Sequence, residues 1–413
     1  MILSYELLEK IGKDIGESFY ILDTEQFKKN FQELSSAFNM IYSKTYIAYS
    51  YKTNYIPRVC KIVDQLGGFA EVVSDMEAAI AEKAGVLPSN IYFNGPYKNP
   101  QELERLLLLG TKVNIDSYND FEVIKAIAER HQDKSFSVGI RCNFDIKNGI
   151  KSRFGVDVTG KDFLAILKEI RDSINIKVIG LHCHFSSRCL DTWSNRVKGI
   201  IEIGEKYFDN ELEYISLGGG MYGKMADCLK EQFEGHIPCY EEYARVVATE
   251  FSRHYGAYPE DKKPMLLIEP GSALAGDIMK FASKVISIKD VRGKKIATLK
   301  GSVYNINPTL NKKNPPITVF NNNNTKDIKE YKHLDFGGFT CIEADFLYRG
   351  YNGNVAVGDY VMFDNVGSYS VVLKPPFILP NFAIVEYDQQ TNHIEIVKRQ
   401  ETFEDVFQTY SFN

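Results

Sequence analysis

The sequence predicts an α/β protein built on a (β/α)8 barrel, with a second, β-rich domain. Three observations carry this. Eight short apolar runs alternate with helix-period segments between Tyr46 and Glu269. The texture changes to strands and turns after about Gly276. The residues with useful chemistry gather at the carboxyl ends of the runs, where a barrel builds its active site. Strand–helix alternation implies parallel strands with right-handed crossovers, and eight repeats favour closure over an open doubly wound sheet.

The runs are YIAYSYK (46–52), FAEVVS (69–74), IYFNG (91–95), KVNIDS (112–117), SVGIRCN (137–143), KVIGLHCHF (177–185), LEYISLGGG (212–220) and MLLIEPG (265–271). Each is β-branched or aromatic at its core and closed by Gly, Ser or Asn. Between them lie amphipathic segments with start and stop signals. One runs from Ser74-Asp75 to Gly85, another from Asn99-Pro100 to Gly110. Past Gly276, FASKVISIKDVRGKKIATLKG, VGDYVMFDNVGSYSVV and FAIVEYDQQTNHIEIVK read as strands, and Asp-Gln-Gln-Thr-Asn between FAIVEY and HIEIVK reads as a hairpin loop. The stretch 314–327, with four consecutive Asn, reads as an exposed loop.

Composition narrows the class without naming it. The 413 residues carry a net charge of −5, which lacks the basic excess of a nucleic-acid binder. No apolar window reaches the roughly 20 residues of a membrane span, and the start of the chain lacks the order of a signal peptide. The seven Cys form no CxxC pair, so they read as reduced thiols of a cytoplasmic protein. No metal site is expected.

The first run ends in Lys52, the sixth in His184, the seventh in Gly218-Gly219-Gly220 and the eighth in Glu269-Pro270-Gly271. Singly each has a bland reading: a lysine reaching solvent, a flexible loop, a salt-bridge partner. Together they supply what pyridoxal 5'-phosphate needs, namely a lysine for its aldehyde, a cradle for its phosphate, a ring cap and a carboxylate for the pyridinium.

At this point the chain resembles the fold-type III decarboxylases, the diaminopimelate and ornithine decarboxylase family, from about Phe19 to Phe377. AYSYKTN is similar to the family's YAxKAN, which assigns the cofactor to Lys52. GLHCHFSS resembles GxHxHxGS, making His184 the ring-stacking histidine and Ser187 a phosphate contact. SLGGGM and IEPG resemble the glycine cradle (Gly219, Gly220) and the EPGR turn (Glu269, Gly271, Ser272). GGFTCIEADFL and NVGSYSVV resemble GPxCExxD and GAYxxS, giving Cys341 the role of proton donor and Tyr369 a phosphate or substrate contact. IRCN (140–143) and RFG (153–155) fit segments flanking the ring. The resemblance further implies an alanine-racemase-like barrel over 27–275, and a β-sandwich or barrel-like domain formed by 276–413 and completed by 1–26. It implies a homodimer whose sites take Cys341 and Tyr369 from the opposite subunit, and a small-molecule amino-acid substrate, free, conjugated or carrier-bound.

Several positions depart from the family pattern. Ser272 replaces the arginine of EPGR. YNINPTLNKK (304–313) stands in place of RPxLY, with Asn307 for the arginine and Asn311 for the tyrosine that clamp a distal carboxylate. Ile342 follows Cys341 where an acidic residue is usual, and Glu343 can replace it only from a loop or bulge. A neutral amide cannot make arginine's bidentate pair. The expectation is a decarboxylase acting on a related, conjugated or carrier-linked amino acid of a siderophore, polyamine or antibiotic pathway. The alternatives are diaminopimelate decarboxylase of lysine biosynthesis, a racemase of the same fold, and a non-catalytic binding protein like the antizyme inhibitors. Glu269 disfavours the racemase, and the intact cofactor set disfavours the pure binder.

Overall fold

The computed structural model describes residues 2–208, 212–322 and 328–413. They form two compact units. One comprises Met1–Phe27, Lys224–Gly235 and Ala275–Asn413; the other comprises Lys28–Gly223 and His236–Leu274.

The second unit is the barrel. Chain order gives β2 (Thr45–Ser50), β3 (Phe69–Val72), β4 (Ile91–Phe93), β5 (Lys112–Ile115), β6 (Phe136–Asn143), β8 (Ile176–His182), β9 (Tyr214–Ser216) and β10 (Met265–Ile268), β1 and β7 being defined below. They pair in parallel in the order β5-β4-β3-β2-β10-β9-β8-β6, and β5 pairs with β6 to close the ring. A two-residue strand, β7 (Val156–Asp157), adds to β6. All eight expected runs are barrel strands. The helices begin where their caps foretell: the Ser74 hydroxyl accepts from Glu77 N at 3.2 Å, and Asn99 Oδ1 from Gln101 N and Glu102 N. Each such cap stabilises a helix by about 1 kcal/mol. Both helices stop before a glycine in the left-handed region, Gly85 (φ 93°) and Gly110 (φ 87°).

The barrel interior is not wholly apolar. Tyr92, Ile179, Tyr214 and Leu267 form one layer. Above it the Tyr214 hydroxyl donates to Asn114 Oδ1 (2.8 Å), Asn114 Nδ2 to Asn94 Oδ1 (2.6 Å), and Asn94 Nδ2 to Glu269 Oε1 (2.9 Å). Buried polar groups need such partners, and this ladder ties the packed layer to the carboxyl ends of the strands.

The other unit is a nine-stranded mixed sheet. Its strands are β1 (Ser18–Leu22), β11 (Met279–Val291), β12 (Lys294–Leu299), β13 (Ile317–Phe320), β14 (Lys329–Gly337), β15 (Phe346–Val355), β16 (Tyr360–Phe363), β17 (Ala383–Asp388) and β18 (His393–Lys398). The path runs β15-β14-β12-β11-β1-β17-β18, with β16 pairing β11 and β13. The N-terminal strand β1 lies between β11 (antiparallel) and β17 (parallel), which completes the domain. An N-terminal helix, Tyr5–Ile15, packs Leu8 and Ile11 onto Phe19, Ile21, Met362 and Val385. The stretch expected to be a loop over 314–327 contains a strand, because ITVF pairs along β16; residues 323–327 lie outside the described ones.

Candidate active site

Every barrel strand brings a polar residue to its carboxyl end: Lys52, Glu71, Asn94, Asp116, Arg141, His182, Ser216 and Glu269, in chain order. Lys52 sits in a single 3-10 turn, Tyr51–Thr53, just past β2. The apolar strand before it anchors that turn, since the Tyr49 hydroxyl donates to Asn54 O (2.9 Å). The Lys52 ammonium is ion-paired with the buried Glu71 carboxylate and lies 3.4 Å from Ser50 Oγ. Glu71 was not singled out by sequence reasoning. Its signal was an acid in the middle of the apolar run FAEVV.

Glu269 is 2% exposed. Its Oε1 accepts from Ser216 Oγ (2.6 Å) and Asn94 Nδ2 (2.9 Å), and its Oε2 lies 3.1 Å from His182 Nε2. Burial opposes the charge. The neighbouring His182 with its hydrogen bond, the Lys52 charge and the Ser216 hydroxyl outweigh it and hold the carboxyl well below the usual range. The barrel therefore offers a fixed anion at its mouth.

His184 lies two residues past β8. Burial, then the positive charges of Lys52 and Arg196, push its imidazole well below its ordinary value, so the ring is neutral. The Gly219 N–H donates to His184 Nδ1 at 2.9 Å, which leaves the ring proton on Nε2. Gly219 thus orients the histidine with its amide. A Cβ there would run into the Glu269 carbonyl, so no other residue fits. Gly220 adopts φ 95°, and among the described residues no acceptor meets its N–H. Ser187 accepts from Thr192 Oγ1 (2.9 Å) and Cys189 N (3.5 Å). Gly271 packs directly on Thr53, and Ser272 opens the short helix Ser272–Ala275.

A second unforeseen residue, Arg196, holds these loops. It is 0% exposed and donates from Nη1 to Leu217 O (2.9 Å) and Gly219 O (2.8 Å), and from Nη2 to Phe185 O (3.0 Å) and Ser187 O (3.3 Å). Its guanidinium stacks 3.9 Å above the Trp193 ring. The sequence signal was a charge on the apolar stripe Trp193, Val197, Ile200. Arg141 forms a third fixed cation, 3.1 Å from Asp116 Oδ1 and over the Phe154 ring.

The remaining expected site residues belong to the β-rich unit. Cys341 is exposed, at the start of a turn that contains Glu343. Glu343 therefore lies on a turn and not on a regular strand. Asp345 organises that segment: Oδ1 accepts from Ser302 Oγ (3.0 Å) and Val303 N (2.7 Å), and Oδ2 from Thr340 N (3.2 Å) and Oγ1 (2.6 Å). Asn307 and Asn311 bond to each other, Asn307 Nδ2 to Asn311 O and Asn311 Nδ2 to Asn307 Oδ1, both at 2.8 Å. Tyr369 has φ 63°, uncommon for a bulky residue. No group of described residues could hold a metal ion, and no described helix is long and apolar enough to cross a membrane.

A lysine paired with a carboxylate, a neutral imidazole, an uncommitted loop amide and a deeply buried anion suit an aromatic aldehyde that carries a phosphate and a basic ring nitrogen. This defines the class: a barrel that carries pyridoxal 5'-phosphate. A family model described as pyridoxal-dependent decarboxylase, pyridoxal binding domain, matches residues 24–276. The chain belongs to this family of fold-type III pyridoxal-phosphate-dependent decarboxylases, and pyridoxal 5'-phosphate is its cofactor.

Diaminopimelate decarboxylase of Aquifex aeolicus is 23% identical over 421 residues, spanning 96% of this chain and 92% of that one. The L-glutamyl-[BtrI acyl-carrier protein] decarboxylase of Niallia circulans is 23% identical over 432 residues, spanning 99% and 97%. Among solved structures, diaminopimelate decarboxylase from M. jannaschii superposes with a TM-score of 0.85 at 22% identity, over 98% of this chain and 94% of that one.

Proposed function

We propose that the protein removes the α-carboxylate of an amino acid with an extended, conjugated or carrier-linked side chain, and not of meso-diaminopimelate. The observation that carries this is the closed pair Asn307–Asn311. At the positions where the resemblance places an arginine and a tyrosine, two amides satisfy one another and offer a carboxylate no charge. Ser272 removes a further cation from the expected pocket, and Ile342 removes the acid that would meet a distal ammonium. The carrier-linked glutamyl decarboxylase of Niallia circulans, similar along its whole length, supports the same direction.

In this reading Lys52 would hold the cofactor and would accept and return protons at the substrate amine. Gly220 and its flanking loop hold the phosphate, and Arg196 keeps that loop in place. His184 covers one ring face as a neutral imidazole. Glu269 keeps a proton on the ring nitrogen, a charge-assisted bond that an arginine there could not form. Bound pyridoxal phosphate supplies the electron sink for the pair left when carbon dioxide departs. Cys341 returns a proton to the α-carbon and Tyr369 contacts phosphate or substrate, both from the second subunit of a homodimer. The site of action is the cytoplasm.

Carbon dioxide release by the cofactor-loaded protein tests this, measured with meso-diaminopimelate, ornithine, lysine and γ-glutamyl thioesters of pantetheine and of a carrier protein. Turnover of a conjugate at least tenfold above diaminopimelate is expected. Robust turnover of meso-diaminopimelate would overturn the pocket argument.

A further inference from the structure

In the β-rich unit the half-buried Lys374 makes no ion pair among the described residues. Lys374 follows the turn that begins at Tyr369, where Leu373 N donates to Tyr369 O (3.2 Å). Its ammonium lies 4.7 Å from the centre of the Tyr20 ring, itself packed on Phe281. The acid that acts on it most, Glu401, is committed elsewhere: Oε1 pairs with Lys398 (3.0 Å) and Oε2 accepts from Asn381 N (2.9 Å). Lys398 adds repulsion.

The surroundings tie this amine to the substrate segments. Under the ammonium, the Tyr20 hydroxyl donates to Asn305 O at 2.8 Å. Asn305 belongs to the turn Val303–Ile306, immediately before Asn307, and that turn is fixed by Asp345 to the loop bearing Cys341. Tyr304 in turn meets Phe377 edge-on, three residues beyond Lys374.

We propose that Lys374 is a specificity residue whose ammonium receives an oxyanion, carboxylate or phosphate, carried on the distal part of the substrate. A lysine that is half-buried against aromatic rings without an acid is costly until an anion reaches it. The inference rests on the extended-substrate reading above and names what that extension carries. Burial, then repulsion by Lys398, lowers the amine to about 7, with Glu401 opposing. Anion binding is therefore coupled to proton uptake from near neutrality upward. The ring it lies over is that of Tyr20, whose hydroxyl is engaged with Asn305.

Acylation kinetics test this without knowledge of the substrate. The cofactor-loaded enzyme is treated with the N-hydroxysuccinimide ester of acetic acid at pH 7.5, and Lys374 labelling is followed by peptide mass spectrometry. The expected result is labelling faster than at exposed lysines, slowed at least fivefold by millimolar inorganic phosphate or succinate. Protection by phosphate alone assigns a phosphate, and protection by succinate alone a carboxylate. Undiminished labelling in both would overturn the inference and leave the decarboxylase reading intact. With any substrate that is turned over, Lys374→Met should raise KM about tenfold or more, the scale of a charge-assisted hydrogen bond, with little change in kcat. Lys374→Arg should restore KM. An unchanged KM in Lys374→Met would equally refute it.

Discussion

Replacing Arg196 by Met keeps the length of the side chain and removes all its donors. Four carbonyl oxygens lose their partner: Leu217, Gly219, Phe185 and Ser187. An orphaned buried acceptor costs about 1–3 kcal/mol, so the low end gives about 4 kcal/mol for the four. Relief from burying a guanidinium offsets part of this, because burial already lowers its pKa to about 10. The net cost is about 3 kcal/mol, against a typical total of about 5–15. For a barrel of this size that lowers Tm by about 6–12 °C. Both loops that would hold the cofactor phosphate also lose their common anchor. Scanning calorimetry of the protein with and without pyridoxal phosphate, together with a cofactor titration, measures both effects. The expected variant melts early and binds cofactor at least tenfold more weakly, and Arg196→Lys recovers only part because a point charge cannot fork. A variant within about 1 °C of the parent, with unchanged cofactor affinity, would refute the anchoring argument.

Three further outcomes are expected. Glu77 is buried, and its pKa is raised to about 7, chiefly by burial and less by Glu71. The folded state then holds more protons than the unfolded one, so stability falls by about 3 kcal/mol as pH rises from about 4.5 to 7. Glu77→Gln should flatten that slope in denaturant titrations, and an unchanged slope counts against it. Glu269→Gln should retain cofactor but lose about a hundredfold or more in kcat, since a neutral amide cannot hold the ring proton; a loss below threefold contradicts the role. Cys341→Ala should lose about a hundredfold or more in kcat. Mixing it with Lys52→Ala should restore about a quarter of activity if dimer sites are shared between subunits, whereas no recovery would argue for sites built from one chain.

The barrel was legible because each strand is a short apolar run closed by its own turn residues, and the helices between carry Ser74 or Asn99 at one end and Gly85 or Gly110 at the other. Strand β13 was hidden by the Pro and Asn around ITVF, a local composition that tertiary pairing along β16 overrides. The helix Tyr5–Ile15 went unread although Tyr5, Leu8, Ile11 and Ile15 recur at helical spacing and pack on the core. At the site, Lys52, His184 and Glu269 stood out because each ends its own run. Glu71, Asn94, Ser216 and Arg196 did not, because their meaning comes from partners on other strands. Gly219 was read as part of the phosphate cradle; the hydrogen bond of its amide to His184 Nδ1 depends on a partner from another strand and was not foreseen.

The assignment of Lys52 as the cofactor-bearing residue is tested by locating the cofactor on the chain. Borohydride treatment of the pyridoxal-phosphate-loaded protein fixes the cofactor to the lysine that carries it, and peptide mass spectrometry then locates the mark. A single modified peptide containing Lys52 is expected, with a colourless, unlabelled Lys52→Ala protein. Stoichiometric labelling at any other lysine, or full colour in Lys52→Ala, would contradict it.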